Sequence, residues 1–318
     1  MQILRVIVER FSLSFGMLCT GLVCAQTFPS KPIRILTSPP GGNPDFTSRI
    51  IAQRLTESLG QQVIVDNRVG IVAVEAVSKA PPDGYTLLLY GNPLWLTPLL
   101  RKTSYDPVRD FSPITLAVTA PTILVVHPSL PVKTVKDLIV LAKARPAELN
   151  YASAATGSVN HLGAELFKAM AGVNLVRINY KGAGPVATAL IAGEVQLTFA
   201  TTGSVAHHLK SGKLRGLAVT SLSRSKLAPD LPTVASTIPG YESVTLNCIF
   251  APSGTPTALL NRLNQEIVRV LNREDVKEKF LNSGAEVVGS SSEQLALMVK
   301  SDLAKWGKLI ADAGIRED

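Results

Sequence analysis

The sequence is poor in the residues that most often form cross-links or bind metals. Its 318 residues include only 3 cysteines and 4 histidines, and 5% of them are aromatic. No His-Glu-x-x-His or similar ligand spacing occurs, so we expect neither a metal nor a cofactor. Removal of the first 25 residues would leave Cys248 as the single cysteine. An intramolecular disulfide and a redox pair of cysteines are then excluded.

Long apolar runs are scarce, and the one near the N-terminus has the features of an export signal. Arg5 and Arg10 precede an apolar run over residues 11–23, which is shorter than the ~20 residues that a bilayer span needs. Small residues follow at positions 23–25, where a signal peptidase would cut. We therefore expect residues 1–25 to be a cleaved signal peptide and the mature protein to be periplasmic.

Positive charge exceeds negative charge, with a formal net charge of +8, but the basic residues are dispersed. Their densest stretch is Lys210–Arg215. Nucleic-acid binding requires a basic patch or stripe, so we exclude it. A diffuse positive field instead favours acidic solutes.

The chain length suggests about two domains, and one unit recurs along it: an apolar strand, a loop of small residues and an amphipathic helix. The first unit has a strand at 33–37, a loop to Asp45 and a helix over 46–59. Further strands are predicted at 62–66, 85–90, 122–127, 149–153, 175–180, 195–199 and 214–220. This alternation predicts an α/β fold with mostly parallel sheets flanked by helices.

The last third of the sequence is predicted to be helical. Pro256 stands at a first helical turn, and Ser290 and Glu293 have capping-box spacing before a final helix. We expect two lobes, with the chain crossing between them near 117–122 and again near 245–252. A cleft between two lobes is a favoured ligand site.

Four loops are candidates for binding a ligand, because each is predicted to follow a strand and begin a helix. They are Thr37–Asp45, Ser153–Asn160, Lys181–Pro185 and Ala200–Ser204. The first turn of a helix has unpaired N–H groups and partial positive charge, and small side chains allow a carboxylate to approach them. Each loop can also be read as an ordinary strand-to-helix turn. The binding hypothesis requires that the loops converge.

Motifs for catalysis are weak. Gly182–Ala187 fits a loose dinucleotide fingerprint, but the acidic residue expected about 20 positions later is absent. Ser158 and His161 are close in sequence, yet no acid is placed to orient the histidine. We expect no enzyme activity. The alternatives are a secreted small-molecule hydrolase on a two-lobed scaffold, or a ligand sensor for a signalling partner.

A series of ordered motifs resembles the Bug family, the extracytoplasmic receptors of tripartite tricarboxylate transporters. The motifs are Pro39-Pro40-Gly41-Gly42 with Asp45, Asp66-Asn67-Arg68, Ala80–Leu87, Tyr105-Asp106-Pro107, Asn150–Ser153, Gly157-Ser158 with His161, Tyr180-Lys181-Gly182, Leu231–Val234 and Phe250-Ala251-Pro252. The resemblance implies a type II periplasmic-binding (Venus flytrap) fold, with lobes at 26–120 plus 247–318 and at 121–246. It also implies a monomer that captures a small carboxylate for the permease subunits of such a transporter.

The resemblance also implies which residues contact the ligand, largely through backbone N–H groups. By position these are Ser38, Pro39, Gly42, Asp45, Ser153, Thr156, Gly157, Ser158 and Ala200. Asp45 would accept a hydrogen bond from the far end of the ligand, or would instead cap the following helix.

The sequence departs from the family at several points, so the identity of the ligand cannot be transferred. The turn after Arg68 is shorter than usual, and Ala200 replaces a common aspartate, which mildly disfavours amino acids as ligands. Leu246 and Asn247 replace bulky aromatics, and Trp95 occupies a loop that usually has smaller residues.

Overall fold

A computed structural model describes residues 28–316, and the predicted signal peptide lies outside the described residues. The strands are β1 (Ile33–Thr37), β2 (Val63–Asn67), β3 (Thr86–Gly91), β4 (Phe111–Val126), β5 (Asn150–Ser153), β6 (Val176–Asn179), β7 (Leu197–Thr201), β8 (Arg215–Val219), β9 (Val244–Pro252) and β10 (Glu286–Val287). The α-helices are α1 (Asn43–Leu59), α2 (Val72–Ser78), α3 (Pro93–Leu100), α4 (Val135–Ala144), α5 (Val159–Ala171), α6 (Ala183–Ile191), α7 (Thr202–Lys210), α8 (Thr257–Leu271), α9 (Glu274–Asn282) and α10 (Ser292–Asp312). Within residues 28–316, no helix is both long and apolar enough to cross a bilayer.

The strands form two sheets that share β4. In the first sheet the order is β2-β1-β3-β9-β4, with β1 parallel to both of its neighbours. In the second sheet the order is β4-β7-β5-β6, with β5 parallel to β6 and β7. This is a two-lobed α/β architecture with mostly parallel outer strands flanked by helices, which confirms the predicted fold class.

The long strand β4 connects the sheets because its partners change along its length. As far as Pro121 it pairs with β9, and from Thr122 onward it pairs with β7. Most of its 16 residues are buried, because helices cover both faces, so its apolar residues run almost continuously. β4 also pairs with β10 in the first sheet and with β8 in the second.

The cores on the two faces of the molecule differ in extent. On one face a single apolar cluster spans both sheets, from Trp95 and Trp306 to Phe167 and Tyr241. On the other face there are two clusters. One is formed with α1 and α8 on the first sheet, and the other with α6 and α7 on the second. The continuous cluster therefore joins the two halves along one face.

Several expectations about individual elements are wrong. The predicted strand 122–127 is the end of β4, which begins at Phe111, and the segment 245–252 belongs to the strand β9. Trp95 is fully buried in helix α3, not in a loop, and its Nε1 donates to Asp302 Oδ2 at 3.2 Å. The final capping box is formed by Ser291 and Gln294, one residue later than predicted.

Candidate functional site

The carboxyl ends of the parallel strands in the two sheets point toward each other. At the end of β3, Gly91 pairs with Asn247, which in turn pairs with Val118 of β4. At the end of β7, Thr201 pairs with Thr122 of β4. The two ends are thus four β4 residues apart, roughly 13 Å of extended strand. The loops that follow β1 and β5 lie at these ends, which is the arrangement that the binding hypothesis requires.

The two halves also touch at this edge. An ideal Cβ built on Gly157, in the loop after β5, would lie 2.2 Å from Leu100 Cδ1 at the end of α3. Gly157 has φ +75°, a left-handed conformation that favours glycine. The absence of a side chain at Gly157 therefore allows Leu100 to pack against the loop after β5. We call this loop the second loop, and the loop after β1 the first loop.

The loop after β1 is largely exposed and leads into α1. Ser38 is partly buried, while Pro39 and Gly42 are exposed. Gly42 is the N-cap of α1, so the helix begins three residues earlier than predicted. Within residues 28–316, the N–H groups of Asn43 and Asp45 meet no acceptor, as is usual for a first helical turn.

Asp45 is committed to bonds within the protein. Its Oδ2 accepts from Gly41 N at 3.0 Å, and its Oδ1 accepts from Asn67 Nδ2 at 2.8 Å. Arg49 Nε lies 2.9 Å from the same Oδ1. Burial alone would raise the pKa of Asp45, but the hydrogen bonds from Gly41, Arg49 and Asn67 outweigh it and lower the pKa. The carboxylate therefore holds the first loop in shape, instead of facing outward.

The loop after β5 is held by Arg177, which comes from the neighbouring strand β6. Arg177 Nε donates to Ser153 Oγ at 2.7 Å, and Nη1 donates to Thr156 Oγ1 at 3.1 Å. Nη2 donates to Ala154 O at 2.9 Å and to Asn179 Oδ1 at 3.3 Å. A guanidinium thus joins four acceptors, three of which lie at the end of β5 and in the short loop that follows it.

Helix α5 begins directly after this loop, with Ser158 as its N-cap. Ser158 Oγ accepts from His161 N at 3.3 Å, and His161 Nδ1 accepts from Gly157 N at 3.1 Å. Burial and the charge of Arg177 lower the pKa of His161 to about 4. His161 is therefore neutral at pH 7, and its Nδ1 is occupied by a backbone N–H. These two side chains form a helix cap and do not have the geometry of a nucleophile with its base.

The start of α5 also offers free donors. Within the described part of the chain, the N–H groups of Val159 and Asn160 meet no acceptor, and both residues are partly exposed. Unpaired N–H groups at a helix start carry partial positive charge and can bind an anion.

The other two predicted loops are shorter than expected. β7 extends through Thr201 and α7 begins at Thr202, so Ala200 lies in a strand, and the predicted loop at 200–204 is wrong. Ala200 is buried among apolar residues of the second sheet. The stretch 181–185 already enters α6, whose N-cap is Gly182.

Two residues near the strand ends were not assigned a role from the sequence. Arg177 stands between apolar residues of a strand, and its only visible signal is that a cation interrupts an apolar pattern. Asn67 belongs to a recognised motif, but its bond from Nδ2 to Ser38 O at 2.7 Å links distant parts of the chain. Neither set of partners can be read from local spacing.

Asn247 is a polar residue in the first half of β9, opposite Gly91 at the end of β3. It is buried, and its Nδ2 donates to Thr47 Oγ1 at 3.2 Å. Its Oδ1 has no partner among residues 28–316. An unsatisfied buried acceptor costs about 1–3 kcal/mol. Among the same residues, no cluster of three His, Cys, Asp or Glu side chains is placed to hold a metal ion.

Comparison with known proteins agrees with this geometry. Residues 47–315 match the family described as "Tripartite tricarboxylate transporter family receptor", TctC. A UPF0065 protein from the tcbD-tcbE intergenic region of a Pseudomonas species is 37% identical, over 90% of this chain and 88% of its own. Protein BugT of Bordetella pertussis is 33% identical, over 92% and 93%.

Solved structures show the same relationship. R. palustris Rpa4515 with adipate has a TM-score of 0.74 at 37% identity, covering 91% of this chain and 99% of that one. MatC (Rpa3494) from Rhodopseudomonas palustris with bound malate has a TM-score of 0.69 at 26% identity, covering 89% and 100%. The chain therefore belongs to the TctC family of tripartite tricarboxylate transporter receptors, the Bug-type solute-binding proteins.

Proposed function

We propose that this protein captures a small aliphatic dicarboxylate between its two lobes and performs no chemistry on it. It does so as a monomer in the periplasm, and it delivers the ligand to the membrane permease subunits of a tripartite tricarboxylate-type transporter. Family membership supports the receptor role. The relatives solved with adipate and malate support the class of ligand.

The observation that carries the proposal is the opposed arrangement of the strand ends. The ends of β3 and β7 face each other across residues 118–122 of β4. A ligand in this space can reach the first loop with one end and the second loop with the other. Contacts to both lobes favour the closed state, because only that state provides both sets of contacts at once.

We propose that the lobes are divided at the points where β4 changes partners and where β9 begins. The division expected at 120/121 agrees with the exchange of partners at Pro121 and Thr122. The return expected at 246/247 lies near Val244, where β9 begins to pair with β4. Closure would then be a rotation about these two connections.

The proposed ligand contacts are the first-loop residues and the start of α5. Ser38, Pro39 and Gly42 would border one end of the ligand, and Ser153, Thr156, Gly157 and Ser158 the other. Asp45 would act indirectly by fixing the first loop, since its oxygens accept from Gly41, Asn67 and Arg49. Ala200 is not among the proposed contacts, because its side chain packs in the core.

A ligand panel tests this proposal. Purified protein is mixed with succinate, malate, adipate or citrate, with the dimethyl ester of adipate as an uncharged control, and thermal unfolding and calorimetric binding are measured. At a ligand concentration about 100 times Kd, binding stabilises the native state by roughly 2.7 kcal/mol. We expect at least one of the acids to do so while the ester does not. No response to any of these acids would refute the proposal, and hydrolysis of the dimethyl ester to the free acid and methanol would favour a hydrolase.

A further inference from the structure

Arg177 carries a positive charge at a place where the protein itself would disfavour one. In β6 it pairs in register with Tyr151 of β5, and in-register neighbours point to the same face of a sheet. Tyr151 lies under α5, where its hydroxyl bonds to Glu165. Arg177 therefore lies beneath the first turn of α5, whose dipole already contributes partial positive charge there. A cation at a helix start is electrostatically unfavourable.

No carboxylate in the described part of the chain compensates this charge. Across residues 28–316, Arg177 forms no ion pair, and its four bonds go to neutral acceptors. Glu165, on the same face, is bonded to Tyr151 Oη and to Lys168 Nζ, the latter at 2.9 Å. His161 adds no charge at pH 7, because its pKa is lowered to about 4 by burial and by Arg177. Among residues 28–316, the positive charge under the loop thus has no carboxylate as a counter-ion.

The hydrogen bonds of Arg177 also fix the polarity of the loop. A guanidinium has only donors, so Thr156 Oγ1 must accept from it. The hydroxyl proton of Thr156 is then available to a third group. The unpaired N–H groups of Val159 and Asn160 lie at the same helix start. The loop after β5 consequently presents donors with a positive charge behind them.

We infer that Arg177 is a positioning residue that makes the loop after β5 the anchor for a fully ionised carboxylate of the ligand. This inference rests on the proposed function and names the end of the ligand that the second lobe selects. Arg177 acts through the loop: it turns the hydroxyl proton outward, holds the N–H groups in place and supplies the charge that an anion neutralises. The ligand must therefore carry a full negative charge at this end.

Three variants separate the charge of Arg177 from its bracing role. Arg177→Gln removes the charge, and Arg177→Lys keeps the charge but loses the planar fork. Arg215→Gln is the matched control in the same half of the protein, because Arg215 also donates to backbone carbonyls, those of Leu130 and Val132. All variants are first compared with the wild type by circular dichroism and thermal unfolding.

Binding of adipate, malate, succinate and citrate is then measured by calorimetry at 20 and 200 mM NaCl. For the tightest of these acids, we expect Arg177→Gln to raise Kd at least about tenfold, since the bound carboxylate loses the positive charge behind the loop. Arg177→Lys should lose less, and Arg215→Gln should match the wild type. The increase of Kd with salt should be smaller in Arg177→Gln than in the wild type, because the variant lacks the positive charge that salt screens in the wild type.

The outcomes distinguish the inference from the proposed function. If the wild type binds one of these acids and Arg177→Gln binds it equally well, the inference is wrong and the receptor function stands. Equal weakening in Gln and Lys variants, with unchanged salt dependence, would show that Arg177 only braces the loop, and it also overturns the inference. If Arg177→Gln does not fold, the Lys variant and its salt dependence decide between charge and bracing. If the wild type binds none of the four acids, both the function and the inference fail.

Discussion

The loops after β1 and β5 lie at corresponding strand ends, but groups of opposite charge hold them in place. The first loop is fixed by the carboxylate of Asp45, which accepts from Gly41 N and Asn67 Nδ2 and pairs with Arg49. The second loop is fixed by the guanidinium of Arg177, which donates to Ser153, Thr156 and Ala154. The first loop has a balanced charge, while the second has a positive charge with no counter-ion among the described residues.

This difference affects what each loop has left to offer a ligand. A carboxylate brace accepts hydrogen bonds, so it uses up donors such as the N–H of Gly41. A guanidinium brace donates hydrogen bonds, so it uses up acceptors and leaves N–H and O–H groups free. The two loops are therefore not equivalent halves of one carboxylate clamp. The second loop suits an anion, and the first loop tolerates a wider range of groups.

Removal of the carboxylate brace should have the largest effect on stability. In Asp45→Ala, Gly41 N and Asn67 Nδ2 lose an acceptor near a buried side chain, so we expect the free energy of unfolding to fall by about 3 kcal/mol. Urea unfolding at pH 7 measures it. Asp137→Ala is the control, since Asp137 holds the same third position of helix α4 and accepts from Lys133 N and Thr134 N, but is exposed. An equal loss in both variants would show that Asp45 is only an ordinary helix cap.

Acidification should weaken the second loop through His161. Its pKa is about 4 in the folded protein, against 6.5 for the ordinary side chain. Between these values the unfolded chain binds a proton that the folded chain does not, so stability falls as the pH falls. The expected loss from His161 is about 1.6 kcal/mol between pH 6.5 and 5, and less than about 0.1 kcal/mol of the effect remains at pH 7.5.

The matched variant for this prediction is His161→Asn, which retains an acceptor for Gly157 N. Urea unfolding of both proteins at pH 7.5, 6.5, 5.75 and 5.0 gives the comparison. The curve of the variant should be flatter over this interval by the amount that His161 contributes. Parallel curves for the two proteins would mean that His161 is not buried in its neutral form.

The repeating strand–loop–helix units could be predicted from the sequence, because apolar strands and small-residue loops are local signals. The central strands β4 and β9 were not recognised in full. Both faces of β4 are buried, so it lacks alternation, and Pro113 and Pro121 argue against a strand at those points. Pro113 lies beside a register shift in the pairing with β9, and Pro121 lies where β4 exchanges β9 for β7, so regular pairing is interrupted at both prolines. The pairing with β9 joins residues more than 120 positions apart.

The candidate site could be predicted only to the level of its loops. The small residues at 38–42 and 153–158 mark strand-to-helix turns, and their location at facing strand ends follows from the parallel sheets. The braces could not be found in this way. Arg177 reaches a backbone carbonyl and two hydroxyls more than 20 residues earlier, and Asp45 reaches Asn67. Such bonds depend on which strands become neighbours, and local patterns do not encode that.

The smallest expected effect concerns the contact between the second loop and the first half of the protein. Gly157→Ala should cost about 1 kcal/mol for its positive φ, plus a few tenths of a kcal/mol for the approach of its Cβ to Leu100 Cδ1, which a flexible side chain can partly relieve. Gly172→Ala is the control at the other end of α5, because it has φ +62° and open space around its Cβ. Urea unfolding of both glycine variants, each in the wild-type and in the Leu100→Ala background, gives a double-mutant cycle. We expect the difference between the two glycine variants to disappear in the Leu100→Ala background. If it persists, Leu100 does not touch the second loop in solution, and the end of α3 is farther from that loop than the structure places it.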